Sequence, residues 1–274
     1  MTNREKHIWT CLREHYEEAI SLGHEILVIV VQGSQNYNLD IYNERYKSDV
    51  DTKAIVLPSF EDFVKGKSPV NTTHIRANNE HIGLKDIRVM FDTFKNQNVQ
   101  FLEILFSDYY IVNEKYKHYW EELRSIAEDI VHCHPSKTVK VLSGISMEKV
   151  KALCHPYPSI IDKIEKYGYD PKQLHHILRV NVFLAEYIKG KSFKECLTNK
   201  YCRQQLLDIK TGNHVYSKEE AVQMAEYFDK KTKEMKEKFI EENGMDIVSV
   251  EPYNMLNNIK YRILKDHFRE EIKE

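Results

Sequence analysis

Residues 26–57 read ILVIVVQGSQNYNLDIYNERYKSDVDTKAIVL, and the fold turns on how this stretch is parsed. Ile26 to Val31 is a short β-branched run, which predicts a strand buried on both faces, and it stops at Gln32-Gly33-Ser34. Asp49 to Leu57 alternates acidic and apolar residues and then runs apolar until Pro58, which predicts a second strand with Asp49 and Asp51 on one face. A strand, a Gly-Ser turn and a second strand opening on two carboxylates therefore lie within one short span.

Each half of that span has a chemistry. A Gly-Ser at the end of a buried strand presents backbone N–H groups and a hydroxyl, the donors a phosphate needs. Two aspartates separated by one residue on an extended strand point the same way and offer oxygen ligands to hard divalent cations. Alone, the Gly-Ser reads more simply as an ordinary turn and the Asp-x-Asp as a solvated strand edge. Their order and separation favour a joint role in phosphoryl transfer, where the protein chiefly positions ions and phosphates.

Working outward, residues 4–22 carry Ile8, Leu12, Tyr16, Ala19 and Ile20 at helical spacing, with Gly23 available to end the helix. Residues 72–84 read as a third strand, and 87–94 and 99–106 as helices with apolar faces. Beyond about residue 112 the strand signal disappears. Segments near 115–131, 137–153, 171–189, 218–242 and 254–272 are helical in pattern, with Ser217 and Glu220 forming a capping box and Asp170-Pro171 opening another helix. The expected architecture is α+β: a small mixed-sheet domain over residues 1–115, followed by an all-helical domain over 116–274.

Composition sets bounds. The 274 residues are 42% hydrophobic and 30% charged with 9 Gly and 7 Pro, which suits a globular protein of one or two domains. A net charge of -2 gives the whole chain no general attraction for nucleic acid or anionic membrane, so any basic site is local. Five cysteines without framework spacing suit reduced thiols, and the absence of a long apolar run predicts a cytoplasmic protein with no membrane partner. Cys133-His134 and Cys154-His155 lack the spacing of a zinc site.

The order of strand, Gly-Ser, short helix and strand with Ser-Asp-x-Asp resembles the DNA polymerase β-like nucleotidyltransferase superfamily, in which a third carboxylate follows on a later strand. Within it, the chain resembles the RNA-ligase-associated nucleotidyltransferases of bacteria and phages. There a Gly-Ser-x-x-Tyr-Gly-Leu loop precedes Ser-Asp-x-Asp, and helices follow with Asn-x-x-x-x-Glu-x-Leu and Lys-x-x-x-His-x-x-Arg. The matching residues are Gly33 to Leu39, Ser48 to Asp51, Asn98 to Leu105 and Lys172 to Arg179, so the likeness spans about residues 25–190. Asn38 replaces the usual glycine, and Asn tolerates left-handed backbone angles.

The resemblance implies a Mg²⁺- or Mn²⁺-dependent enzyme that moves a nucleoside monophosphate from a nucleoside triphosphate such as ATP to an acceptor hydroxyl, releasing pyrophosphate. Gly33 and Ser34 would hold phosphates, and Asp49 and Asp51 the metals. Glu80 is the expected third metal ligand, with Asp86 as alternative, although Asp86 reads more simply as a helix N-terminal charge. Lys172, His176 and Arg179, at i, i+4 and i+7, form a helical face fit for phosphate or nucleic-acid backbone. The acceptor is an RNA end, a protein hydroxyl or a small molecule, and a non-catalytic nucleotide- or RNA-binding module stands as the alternative.

Overall fold

A computed structural model describes every residue except 199, 201, 212–214, 246, 247 and 274. The chain forms two compact units, residues 1–133 together with 249–274, and residues 134–248.

The first unit opens with helix α1 (Asn3–Ser21), started by a Thr2–Glu5 capping box, and ends on Gly23 at φ +83°. Strand β1 (Glu25–Gln32) follows, then β2 (Asp51–Leu57), a short helix α2 (Phe60–Val64), and strands β3 (Asn71–Ile75) and β4 (His81–Asp86). Helices α3 (Ile87–Lys95) and α4 (Val99–Leu102), strand β5 (Tyr110–Val112) and helices α5 (Lys117–Ser125) and α6 (Ala127–His132) complete this part. The five strands are ordered β3-β4-β2-β1-β5; β2 and β4 run parallel and every other pair antiparallel, which makes the sheet mixed.

Alternation along the strands divides the sheet into two faces. Ile29, Val31, Val50, Ala54, Val56, Ile82 and Leu84 pack against Ile8, Leu12 and Ala19 of α1. Each of the Ile, Val and Leu side chains taken fully out of water contributes about 1.5–3 kcal/mol, which is why this register is held. On the other face α3 lies over β2 and β4, burying Ile87, Met90, Phe91 and Phe94.

The second unit is helical: α7 (Pro135–Ala152), α8 (Ile161–Tyr167), α9 (Pro171–Tyr187), α10 (Phe193–Thr198), α11 (Arg203–Thr211) and α12 (Lys218–Asn243). Helix α9 is its centre, packed by α7, α10, α11 and α12. Asp170 caps α9, and the Ser217–Glu220 box starts α12. The last helix, α13 (Val250–Glu271), packs against α3, α5 and α6 of the first unit.

The protein is thus α+β, a mixed sheet with a mostly helical later part, but three details differ from the sequence reading. The segment 72–84 is a β3–β4 hairpin turning at Asn79, φ +65°, rather than one strand. Strand β5, three residues long, had no pattern to reveal it. The boundary lies at 133 rather than 115, and the final helix rejoins the first unit, because the loss of strand pattern marks the end of the sheet and not the end of the core built on it. Among the described residues, no helix is long and apolar enough to cross a membrane.

Candidate active site

Where β1 ends, Gly33 takes φ +83°, a conformation that costs an L residue with a Cβ about 1–2 kcal/mol. The chain then makes a 3-10 turn over Gly33–Gln35. The turn is anchored on several sides: Asn36 donates its side-chain N–H to Val31 O at 2.8 Å, Ser107 Oγ donates to Asn36 Oδ1 at 2.7 Å, and Leu39 N donates to Ser34 O at 2.9 Å. Asn38 adopts φ +61°, the left-handed angle its replacement of glycine requires. Arg4 of α1 grips Asp40 through a two-pronged ion pair, both contacts 2.6 Å.

The β1–β2 register sets Gln32 opposite Asp51, and Gln35 Nε2 donates to the carbonyl of Asp49 at 2.7 Å. The Gly-Ser turn and the aspartate pair therefore share one corner of the sheet. Val50, between the aspartates, is wholly buried in the α1-side core, which leaves Asp49 and Asp51 on the opposite side. Asp49 is exposed, and its charge helps burial raise the Tyr46 phenol.

Gly33 and Glu103 add an unexpected bond. The Gly33 N–H donates to the buried Glu103 carboxylate at 2.7 Å. Gly33 thus supplies the turn, and Ser34 a half-buried hydroxyl beside it, 3.4 Å from Gln35 Oε1.

Glu80, expected as the third metal ligand, belongs elsewhere. It is 5% exposed, and its carboxylate accepts from Val50 N at 3.1 Å, Asn78 Nδ2 at 2.8 Å and Arg76 Nη1 at 3.0 Å, and bonds His15 Nε2 at 3.0 Å. His15, fully buried in α1, also bonds Thr52 Oγ1 at 2.9 Å. Val50 and Thr52 face α1, so Glu80 lies on the face away from Asp51 and pins the backbone between the aspartates from behind. Despite desolvation, which opposes ionisation, these bonds and His15 hold its carboxyl down at about 2. Asp86, the alternative, caps α3 through Arg88 N and pairs with the Arg88 side chain.

One residue of register explains the correction. Thr52 pairs with Ile82 in the parallel β2–β4 ladder, so the neighbour of Asp51 is His81 and not Glu80. His81 donates its backbone N–H to Asp51 Oδ1 at 2.9 Å and sets Nδ1 3.1 Å from the same oxygen. Sequence reasoning passed over this histidine. The Asn78-Asn79 turn, which fixes where β4 begins, was the signal that could have found it.

Lys53 continues the same face. Its amine donates to Gln100 O, lies 3.6 Å from the Phe101 ring centroid, and is lowered to about 7 by burial and by Lys85, with Asp51 opposing. Among the described residues, no three His, Cys, Asp or Glu side chains gather to hold a metal ion on their own.

In the helical unit, Lys172 is exposed, His176 half-buried and Arg179 buried on α9. Burial first, then Arg179, His175, Lys172 and Lys149, hold His176 neutral well below its usual range. The three residues named from sequence do cluster, joined by Lys149 of α7. His175 faces inward instead, its Nδ1 bonded to Leu206 O at 2.9 Å.

No protein-family model matches this chain, and no curated protein matches it in sequence. Among solved structures, it is similar to a nucleotidyltransferase-like protein from Exiguobacterium sibiricum at 11% identity, covering 83% of this chain and 74% of that one, with a TM-score of 0.30.

Proposed function

We propose that the corner formed by Gly33, Ser34, Asp49 and Asp51 is the active site of a metal-dependent phosphoryl-transfer enzyme. Within that class the arrangement suits a nucleotidyltransferase of the polymerase β-like type. The observation that carries this reading is the register of Gln32 opposite Asp51, which sets the Gly33–Ser34 turn beside two outward carboxylates.

The donors fit a divalent ion that arrives with its substrate. Mg²⁺ or Mn²⁺ bound to a nucleoside triphosphate needs only one or two protein carboxylates, the phosphates and water completing its shell. Asp49 and Asp51 would hold it, and when bound it lowers the pKa of an attacking hydroxyl and neutralises phosphate charge. Ser34 and the Gly33 turn bind the terminal phosphates. The acceptor oxygen forms a bond to the α-phosphorus as the bond to the β-phosphate oxygen breaks, so the hydroxyl loses a proton and pyrophosphate leaves. Glu80 and His15 keep the Asp49–Asp51 backbone fixed during this exchange.

Lys172 and Arg179, with Lys149, gather positive charge around the neutral His176, a local patch suited to phosphate, and an RNA end is the acceptor this favours in a chain of near-zero net charge. A second reading, a nucleotide-binding module without chemistry, draws support from Glu103 already occupying the Gly33 N–H.

The test is incubation with each α-labelled nucleoside triphosphate, Mg²⁺ or Mn²⁺, and RNA, protein and small-molecule acceptors. Label transfer with pyrophosphate release, abolished in an Asp49→Ala/Asp51→Ala double variant that still folds, is the expected result. Undiminished triphosphate consumption in that variant refutes the assignment, and nucleotide binding by the wild type with no pyrophosphate release selects the module.

A further inference from the structure

The neighbour of Asp51 on the site face is an imidazole, where the sequence pattern led one to expect a carboxylate. His81 Nδ1 stands 3.1 Å from Asp51 Oδ1, and the two side chains are 45% and 36% exposed, so both are open to an ion from solvent. That separation is a hydrogen-bond distance, and it is also close to the bite of a chelated ion. Two donors bound at right angles to one ion, each at about 2.1 Å, lie about 3 Å apart. The pair can therefore exchange its hydrogen bond for a shared cation with little change of spacing, the ring proton then residing on Nε2 and the Nδ1 lone pair turning to the ion.

Both partners are held for this. Asp51 opens β2, where Gln32 and His81 flank it in the ladder, and the His81 backbone N–H fixes the Asp51 carboxylate at 2.9 Å. Behind them the adjoining Glu80 is tied to Val50 N, Asn78, Arg76 and His15, so the backbone carrying His81 cannot slide relative to the backbone carrying Asp51.

Resting on the nucleotidyl-transfer reading, we propose that His81 Nδ1 and Asp51 Oδ1 together chelate the divalent ion that accompanies the nucleotide, which makes this a mixed nitrogen–oxygen site selecting Mn²⁺ or Co²⁺ over Mg²⁺. Mg²⁺ is a hard ion that favours oxygen donors and keeps its waters, whereas first-row transition ions accept imidazole, with affinities rising along the series from Mn²⁺. Two fixed protein donors do not hold the ion alone, so the triphosphate supplies the others and binding of ion and nucleotide is cooperative.

The experiment uses the full chain with Mn²⁺ and a non-hydrolysable triphosphate analogue, read by electron spin echo modulation and by calorimetry. The wild type is expected to show nitrogen coupling to bound Mn²⁺, and His81→Gln to lose it and to bind Mn²⁺ about tenfold more weakly. His81→Asp is expected to bind the ion without nitrogen coupling and to turn the preference toward Mg²⁺. All three should share one circular dichroism spectrum. Mn²⁺ bound with the nucleotide but with no nitrogen coupling, or with coupling that survives His81→Gln, overturns this proposal and leaves nucleotidyl transfer standing. Failure of the wild type to bind any ion–nucleotide pair overturns both.

Discussion

Replacing Glu80 by Gln distinguishes a buried clamp from a metal ligand. In the clamp the carboxylate is ionised and satisfied by Val50 N, Asn78, Arg76 and His15. Its carboxyl, held at about 2 against an unperturbed 4.5, corresponds to about 3 kcal/mol of preference for the charged form in the folded chain. Glutamine keeps the shape but loses the charge and leaves His15 and Arg76 poorly matched, so a loss of about 3 kcal/mol at pH 7 is expected. The pH dependence is more telling than the size. A carboxyl depressed on folding stabilises fully above its unfolded value of 4.5, and this stabilisation is lost as pH falls toward about 2. Urea unfolding followed by circular dichroism should show the gap between wild type and Glu80→Gln closing across that window. Equal stability of the two proteins at pH 7, together with lost metal binding, refutes the clamp and returns Glu80 to the ion.

Further outcomes follow from other positions. Gly33→Ala meets no atom within 4 Å of its new Cβ, so its cost is the left-handed backbone alone, about 1–2 kcal/mol; an unchanged melting temperature contradicts the φ assigned to Gly33. His175, lowered to about 3 chiefly by burial, is neutral in the folded protein while the unfolded chain takes up a proton below 6.5. Stability should therefore fall as pH drops from 6.5 toward 3, and an NMR titration of the His175 ring with an inflection near 6.5 would sink this account.

The elements with strong local signals were legible from sequence. The β-branched run of β1, the helical spacing of α1, the Ser217–Glu220 box and the Asp170-Pro171 start of α9 each depend on side chains close in sequence. So does the proximity of the Gly33 turn to Asp51, which needs only two strands to pair as neighbours. What stayed hidden depends on partners far along the chain. Glu80 and His81 differ by one position, and which of them meets Asp51 is decided by the β2–β4 register and by His15, 65 residues before Glu80. Strand β5 exists because β1 offers an edge, and α13 returns because α3 and α5 leave surface for it; neither is written in three or four adjacent residues.

That return of α13 bears on how the molecule is made. The sheet unit is split in the chain, with 134–248 intervening between its two parts. During synthesis residues 1–133 are made well before residues 250–271, with the whole of 134–248 coming between them. The core of the sheet unit therefore stays open on α3, α5 and α6 until α13 has been added, and a chain interrupted within 134–248 leaves those surfaces uncovered.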